Sequence, residues 1–189
     1  AYLAYDDPSS VYYLAWNAQK VYSDWAEPKR KDLFVYTWLR FHQGNTILAN
    51  QEVPAYLAEA AAIVPWFTGA RRLVLWGYEP RSANSEELPY TCLPDYIEGL
   101  RRVARVSRVL GAARPIPGQS AYEQWRAGTP LVIAMETPGA CVVLAADARQ
   151  TEGTRSEVPF RWRDRDVRLP IDGKRATIAV IDANQTSFF

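Results

Sequence analysis

The chain has one histidine, His42, one methionine and two cysteines, Cys92 and Cys141, with no CxxC spacing between them. A structural zinc centre needs about four such ligands, so none is expected, and no motif implies another metal or a cofactor. The cysteine count is compatible both with a single disulfide and with two buried free thiols. An excess of charge of one sign is also missing: 22 Lys and Arg stand against 21 Asp and Glu, a formal net charge of +1. A dedicated nucleic-acid binder carries basic excess to neutralise phosphates, so no nucleic-acid partner is expected. No apolar run reaches the roughly 18 residues that mark a membrane helix, so no membrane span is expected. Neither a charged n-region nor an apolar h-region opens the chain at Ala1, which reads as a mature protein, a fragment or a cytoplasmic chain.

What is present is apolar and rich in rings. Of 189 residues 48% are hydrophobic, enough for one large domain or a medium domain plus a small one. Seven Trp and eleven Tyr either fill an aromatic core or form stacking surfaces, since both side chains join a large apolar face to a polar handle. Residues 71–79 read Arg-Arg-Leu-Val-Leu-Trp-Gly-Tyr-Glu. A short apolar run of this kind suits a strand covered on both faces, as in a parallel sheet. The rings, the glycine and the carboxylate behind it suit the mouth of a sugar-binding cleft.

The rest of the first 111 residues repeats this pattern. Residues 1–5 read as a strand, and Asp7-Pro8 as a helix start with Asp7 as N-cap. Val11, Leu14, Ala15, Ala18, Val21, Tyr22 and Trp25 follow helical spacing. Residues 33–41 are rich in β-formers and run into the polar loop His42-Gln43-Gly44-Asn45. A helix over 54–68 should be kinked or shortened by Pro65, and Gly69 lies near its end. A further helix from about Pro94 to Gly111 carries a buried stripe of Ile97, Leu100, Val103, Ala104, Val106 and Leu110. Arg101, Arg102, Arg105 and Arg108 lie largely on its solvated face. Residues 113–129 read as a linker with a short helix at 120–126. Beyond it, short strands at 131–135, 140–146, 158–162, 167–169 and 176–181 alternate with turn signals such as Thr137-Pro138-Gly139 and Asp172-Gly173-Lys174.

Strand, helix, strand, helix, strand, helix implies parallel strands joined by crossovers. Three such strands cannot close a barrel, and a complete one needs about 250 residues. Residues 33–40, the helix through Ala60 and Leu73-Val74-Leu75-Trp76-Gly77 resemble strand seven, helix seven and strand eight of a (β/α)8-barrel glycoside hydrolase. The Leu-Trp-Gly ending is similar to the final barrel strand of hyaluronidase-like and related polysaccharide hydrolases. The resemblance implies an α/β fold class: the last strands and helices of a TIM-type (β/α)8 barrel over residues 1–112, followed by a small antiparallel β-sandwich over 130–189. It also implies a poly- or oligosaccharide partner, an extracytoplasmic location (periplasmic or secreted), and a second chain or an amino-terminal segment that completes the barrel. The strand over 33–41 ends in Trp38-Leu39-Arg40-Phe41-His42, which speaks against the clan whose nucleophile is a glutamate at that strand end.

Glycoside hydrolysis usually places two carboxyl groups about 5–5.5 Å or about 6.5–9.5 Å apart, for retention or inversion respectively. Asp6 and Asp7 directly follow a strand, where barrel catalysis occurs, and are candidate general acids or bases. A helix cap and a loop residue are the competing roles. Glu79 is a third candidate, or a ligand to a sugar hydroxyl or an arginine; Glu52 fits the start of a helix better. Trp38, Arg40 and His42 share strand parity and, with Gln43, are candidate substrate contacts. Trp76 and Tyr78 are the best stacking candidates, with a place in the barrel core as the alternative for Trp76.

Overall fold

The computed structural model describes residues 8–25, 34–41, 51–75 and 90–189. These form a mixed α/β fold with four helices, a parallel strand pair and two antiparallel sheets. The expected strand over 1–5 and the end of the strand beyond Leu75 lie outside the described residues.

Helix α1 (Ser9–Trp25) begins just past Pro8, and its apolar spacing buries Val11, Tyr12, Leu14, Ala15 and Ala18. Val21, expected inside, is 42% exposed, while Tyr12 is buried in its place. The chain then forms β1 (Phe34–Thr37), α2 (Ala55–Phe67) and β2 (Arg72–Leu75). β1 and β2 are parallel, in the register Phe34↔Arg72 to Thr37↔Leu75. The helix between them makes this a βαβ unit, as the strand–helix order required. Pro65 falls in the last turn of α2, so it shortens rather than kinks the helix. Gly69, at φ +97°, takes the left-handed step past the helix end, and the Ala70 amide closes back on the Pro65 carbonyl at 3.1 Å. Gly69 lies against Tyr22 near the end of α1. The carboxyl ends of α1 and α2 therefore lie close together, and α2 starts on the side of the β1 carboxyl end.

Helix α3 (Leu93–Ala112) packs on α2 at close range. The small side chains of α2 allow this: a Cβ added at Gly99 would lie 2.8 Å from Ala62 Cβ and 3.0 Å from the Glu59 carbonyl oxygen. That approach sets the rotation of α3. Its buried face is Tyr96, Gly99, Val103, Val106 and Leu110, while Ile97 and Ala104, expected inside, are exposed. Arg102 also departs from expectation. Its guanidinium is buried, donating to the carboxylate of Glu59 on α2 and to the main-chain oxygens of Ala176 and Phe189. Arg175 reaches the same carboxylate at 3.1 Å. Arg101, Arg105 and Arg108 are exposed as expected.

Within residues 113–129, β3 (Arg114–Pro115) pairs with the next sheet, and α4 (Ala121–Arg126) is capped by Ser120 Oγ, which accepts from the Glu123 amide. Strands β4 (Leu131–Glu136), β5 (Ala140–Ala146), β8 (Thr177–Asp182) and β9 (Thr186–Phe188) complete a five-stranded sheet of order β3-β4-β5-β8-β9. Strands β6 (Arg155–Trp162) and β7 (Arg165–Asp172) form a separate hairpin. Alternation in β4 and β5 assigns the faces. Leu131, Ile133, Met135, Val142 and Leu144 join the helix core, whereas Cys141, Val143 and Ala145 meet Trp162, Leu169 and Ile171 of the hairpin. The sheet is thus covered by helices on one side and by the hairpin on the other.

Among the described residues the parallel pair has no such second cover. Val35 and Thr37 turn inward and are buried, and Leu73 and Leu75 pack towards the helices. Tyr96 of α3 meets Thr37 hydroxyl to hydroxyl at 3.0 Å. The other face carries Phe34, Tyr36 and Val74, exposed by 49%, 44% and 38%. Among the described residues, β1 and β2 pair only with each other.

Candidate functional site

The alternation of β1 persists past its last ladder bond. Trp38 and Arg40 are half-buried, while Leu39 and Phe41 between and after them are buried. Trp38 and Arg40 therefore share the parity of the exposed face, as the sequence suggested. The chain is held here by the Phe41 amide on the Gln51 carbonyl at 2.9 Å and the Val53 amide on the Leu39 carbonyl at 3.0 Å. The Arg40 guanidinium lies 4.9 Å from the centre of the Tyr90 ring, and among the described residues its buried Nε has no hydrogen-bond partner. Of the proposed site residues, Trp38 and Arg40 are thus brought together at the carboxyl end of β1. Asp6, Asp7, His42, Gln43, Trp76, Tyr78 and Glu79 lie outside the described residues.

Two carboxylates near this end have structural partners. Glu52 accepts from the Thr91 amide at 2.8 Å and the Thr91 hydroxyl at 2.6 Å, with the Cys92 amide at 3.4 Å. It caps the positive end of α3, a helix later than the one the sequence suggested. Glu59 is held by Arg102 and Arg175. Among the described residues no group of three or more His, Cys, Asp or Glu is gathered to hold a metal ion, and no helix is long and apolar enough to cross a membrane.

Cys92 and Cys141 are free and buried. They occupy separate cores, Cys92 among the helices and Cys141 under the hairpin. Burial, with Glu52 adding its charge, pushes the Cys92 thiol up to about 11, and burial with Glu136 pushes Cys141 up to about 12. Both stay protonated at neutral pH and are poor nucleophiles. Iodoacetamide at pH 7.5 is expected to leave both unmodified in the folded protein and to alkylate both in guanidinium, as read by mass spectrometry. Rapid native modification of either would contradict the burial.

A second group of side chains was not foreseen. Tyr12, Tyr13 and Trp16 project from the first turns of α1, and Tyr122 and Trp125 from α4. Together with Ser9 and Ser10 they line an open cavity of about 430 Å³. Ring centres are 5.2 Å apart for Tyr12 and Trp125, 5.8 Å for Tyr13 and Trp16, and 5.7 Å for Trp16 and Tyr122. All three pairs are tilted, with centres inside the roughly 4.5–7 Å range of interacting aromatic pairs. The Gln19 side chain fixes α4 against α1 by donating to the Gln119 carbonyl at 2.6 Å and accepting from the Ala121 amide at 3.0 Å. The Tyr12 hydroxyl donates to the Thr129 carbonyl at 2.7 Å, and burial pushes it up to about 12, so it remains a donor across the physiological range. The only sequence signal for this cluster was the spacing of rings at i, i+1, i+4 on one helix and i, i+3 on another.

No family model, curated protein or solved structure matches the chain.

Proposed function

We propose that the chain is the carboxyl-terminal part of a (β/α)8-barrel glycoside hydrolase with an appended β-sandwich, acting on an extracytoplasmic polysaccharide by carboxylate acid/base chemistry. The observation that carries this reading is the bare face of the β1–β2 pair. Parallel sheets occur almost only with both faces covered. Here one face is packed by helices while the other presents Phe34, Tyr36 and Val74. In a barrel that face is the interior, filled by side chains of further parallel strands from a second chain or an amino-terminal segment. The antiparallel sheets that follow fit the appended module. Arg40 and Trp38, at the carboxyl end of β1, would meet substrate where barrel enzymes place it.

Asp6, Asp7 and Glu79 are the proposed acids and bases. The test is release of reducing ends from a polysaccharide panel by the complete assembly, with Asp6→Asn, Asp7→Asn and Glu79→Gln variants. Loss of a general acid or base is expected to lower turnover by about 10²–10⁴-fold. Unchanged turnover in all three would remove these residues as catalysts, and no release by the intact assembly would remove the hydrolase.

A second reading, a non-catalytic glycan-binding or scaffolding module, draws support from one observation. Glu52 and Glu59, the carboxylates closest to the β1–α2 unit among the described residues, are committed to a helix cap and to two arginines.

A further inference from the structure

We propose that the ring-lined cavity between α1 and α4 is a binding subsite for neutral pyranose units of a polysaccharide, separate from the cleft at the end of β1. The inference rests on the polysaccharide reading above and names where the polymer is held.

Three of the five rings are too exposed to serve as core: Tyr13 by 42%, Tyr122 by 44% and Trp125 by 38%. Their positions are nevertheless fixed, because Gln19 and the Tyr12 hydroxyl tie α4 and the loop after it to α1. Rings held in place and left uncovered have already lost the freedom that binding would otherwise cost. The volume of about 430 Å³ lies in the range of small-ligand sites.

The lining chemistry selects among ligands. Flat ring faces suit the C–H face of a pyranose, and the phenol and indole groups of the exposed rings suit its hydroxyls. A cation is disfavoured, since guanidinium groups already lie over two of the rings: Arg126 at 5.8 Å from the Tyr122 centre and Arg149 at 5.7 Å from that of Tyr12. A chain-like ligand is favoured over a single small molecule, because Trp16 also lines a neighbouring cavity of about 470 Å³. That second cavity is lined beside Trp16 by Gln19, Lys20, Gln119 and Ser120, with Gln19, Gln119 and Ser120 already bonded to main-chain groups that fix its wall. One ring joining two open cavities gives a track along α1 for consecutive sugar units.

The test is calorimetric titration of the full chain with cellohexaose, chitohexaose, xylohexaose and, separately, tetramethylammonium. At least one hexasaccharide is expected to bind, and Tyr122→Ala and Trp125→Ala are each expected to weaken it about tenfold or more. Both side chains are partly exposed, so the thermal midpoint should stay within about 2 °C of wild type, which separates lost binding from lost folding. Binding of no hexasaccharide, equal affinity in both variants, or Trp125-dependent binding of tetramethylammonium in place of sugar would overturn the subsite. Reducing-end assays on the complete assembly, wild type and ring variants alike, separate the two proposals. Ring-dependent binding without turnover removes the hydrolase and leaves the subsite. Turnover with ring-independent binding removes the subsite and leaves the hydrolase.

Discussion

Arg102→Ala should destabilise the protein by about 3–5 kcal/mol, the range for breaking a buried ion pair from one side. The arginine side chain is 12% exposed and that of Glu59 4%. Its fork serves three acceptors on three segments: the Glu59 carboxylate of α2, the Ala176 carbonyl before β8, and the Phe189 main-chain oxygen after β9. Truncation leaves a buried carboxylate with Arg175 alone, and Arg175 is 63% exposed, where water screens much of its attraction. Two main-chain oxygens lose a donor as well. Arg102→Lys should recover little of the loss, since one ammonium cannot reproduce a planar fork aimed at three groups. Urea unfolding of wild type, Arg102→Ala, Glu59→Ala and the double variant gives the coupling directly. An Arg102→Ala loss below about 1 kcal/mol would show that the contact is incidental.

The second large effect is expected at Gly69. Its φ of +97° is one that side-chain-bearing residues rarely adopt, and an added Cβ would sit 2.5 Å from Cδ2 and Cε2 of Tyr22. The conformational part costs about 1–2 kcal/mol and the overlap about 1–3 kcal/mol, so Gly69→Ala should lose about 2–5 kcal/mol. For a chain of 189 residues this lowers the thermal midpoint by roughly 4–20 °C. The two parts are separable. In a Tyr22→Ala background the overlap disappears, and only the backbone part should remain when Gly69→Ala is added. An equal loss in both backgrounds would mean that Tyr22 yields without cost.

These two positions also mark where the sequence was and was not legible. Gly69 could be placed near a helix end because capping is local and Pro65 announced it. The strand over Ala140–Ala146 was legible to the residue, because a sheet covered on both sides leaves a continuous apolar run between turn residues. The helix over Leu93–Ala112 was legible in extent but not in rotation. Its stripe was drawn through Ile97 and Ala104 on hydrophobicity, whereas the close approach at Gly99, a residue with no side chain to score, turned it towards Tyr96. Arg102 could not be read, since its partner Glu59 is 43 positions away and on another helix. The same holds for β3 and β9, which are two and three residues long and are held by a neighbour's ladder rather than a pattern of their own.

The site was less legible than the fold. Strand parity puts Trp38 and Arg40 on one face, and both are half-buried where Leu39 and Phe41 are buried. The aromatic cavity was missed because it is assembled from two helices: Tyr12 and its acceptor Thr129 are 117 residues apart. A list of apolar positions on α1 included Val21 and omitted Tyr12, and that one exchange hid the cluster.

The parallel pairing of Phe34–Thr37 with Arg72–Leu75 has a consequence for the order in which the chain acquires its structure. Ladders between adjacent strands, such as Glu136 with Cys141 or Trp162 with Arg165, close loops of a few residues and cost little chain entropy. Joining Thr37 to Leu75 must first organise the whole of α2 between them. Contacts of long sequence separation form slowly, so the hairpins come early and the parallel pair late. Until it forms, Phe34, Tyr36 and Val74 belong to two unjoined segments, and the surface that would receive further strands does not yet exist. Assembly with any partner on that face is therefore the last step of folding, not an event that precedes it.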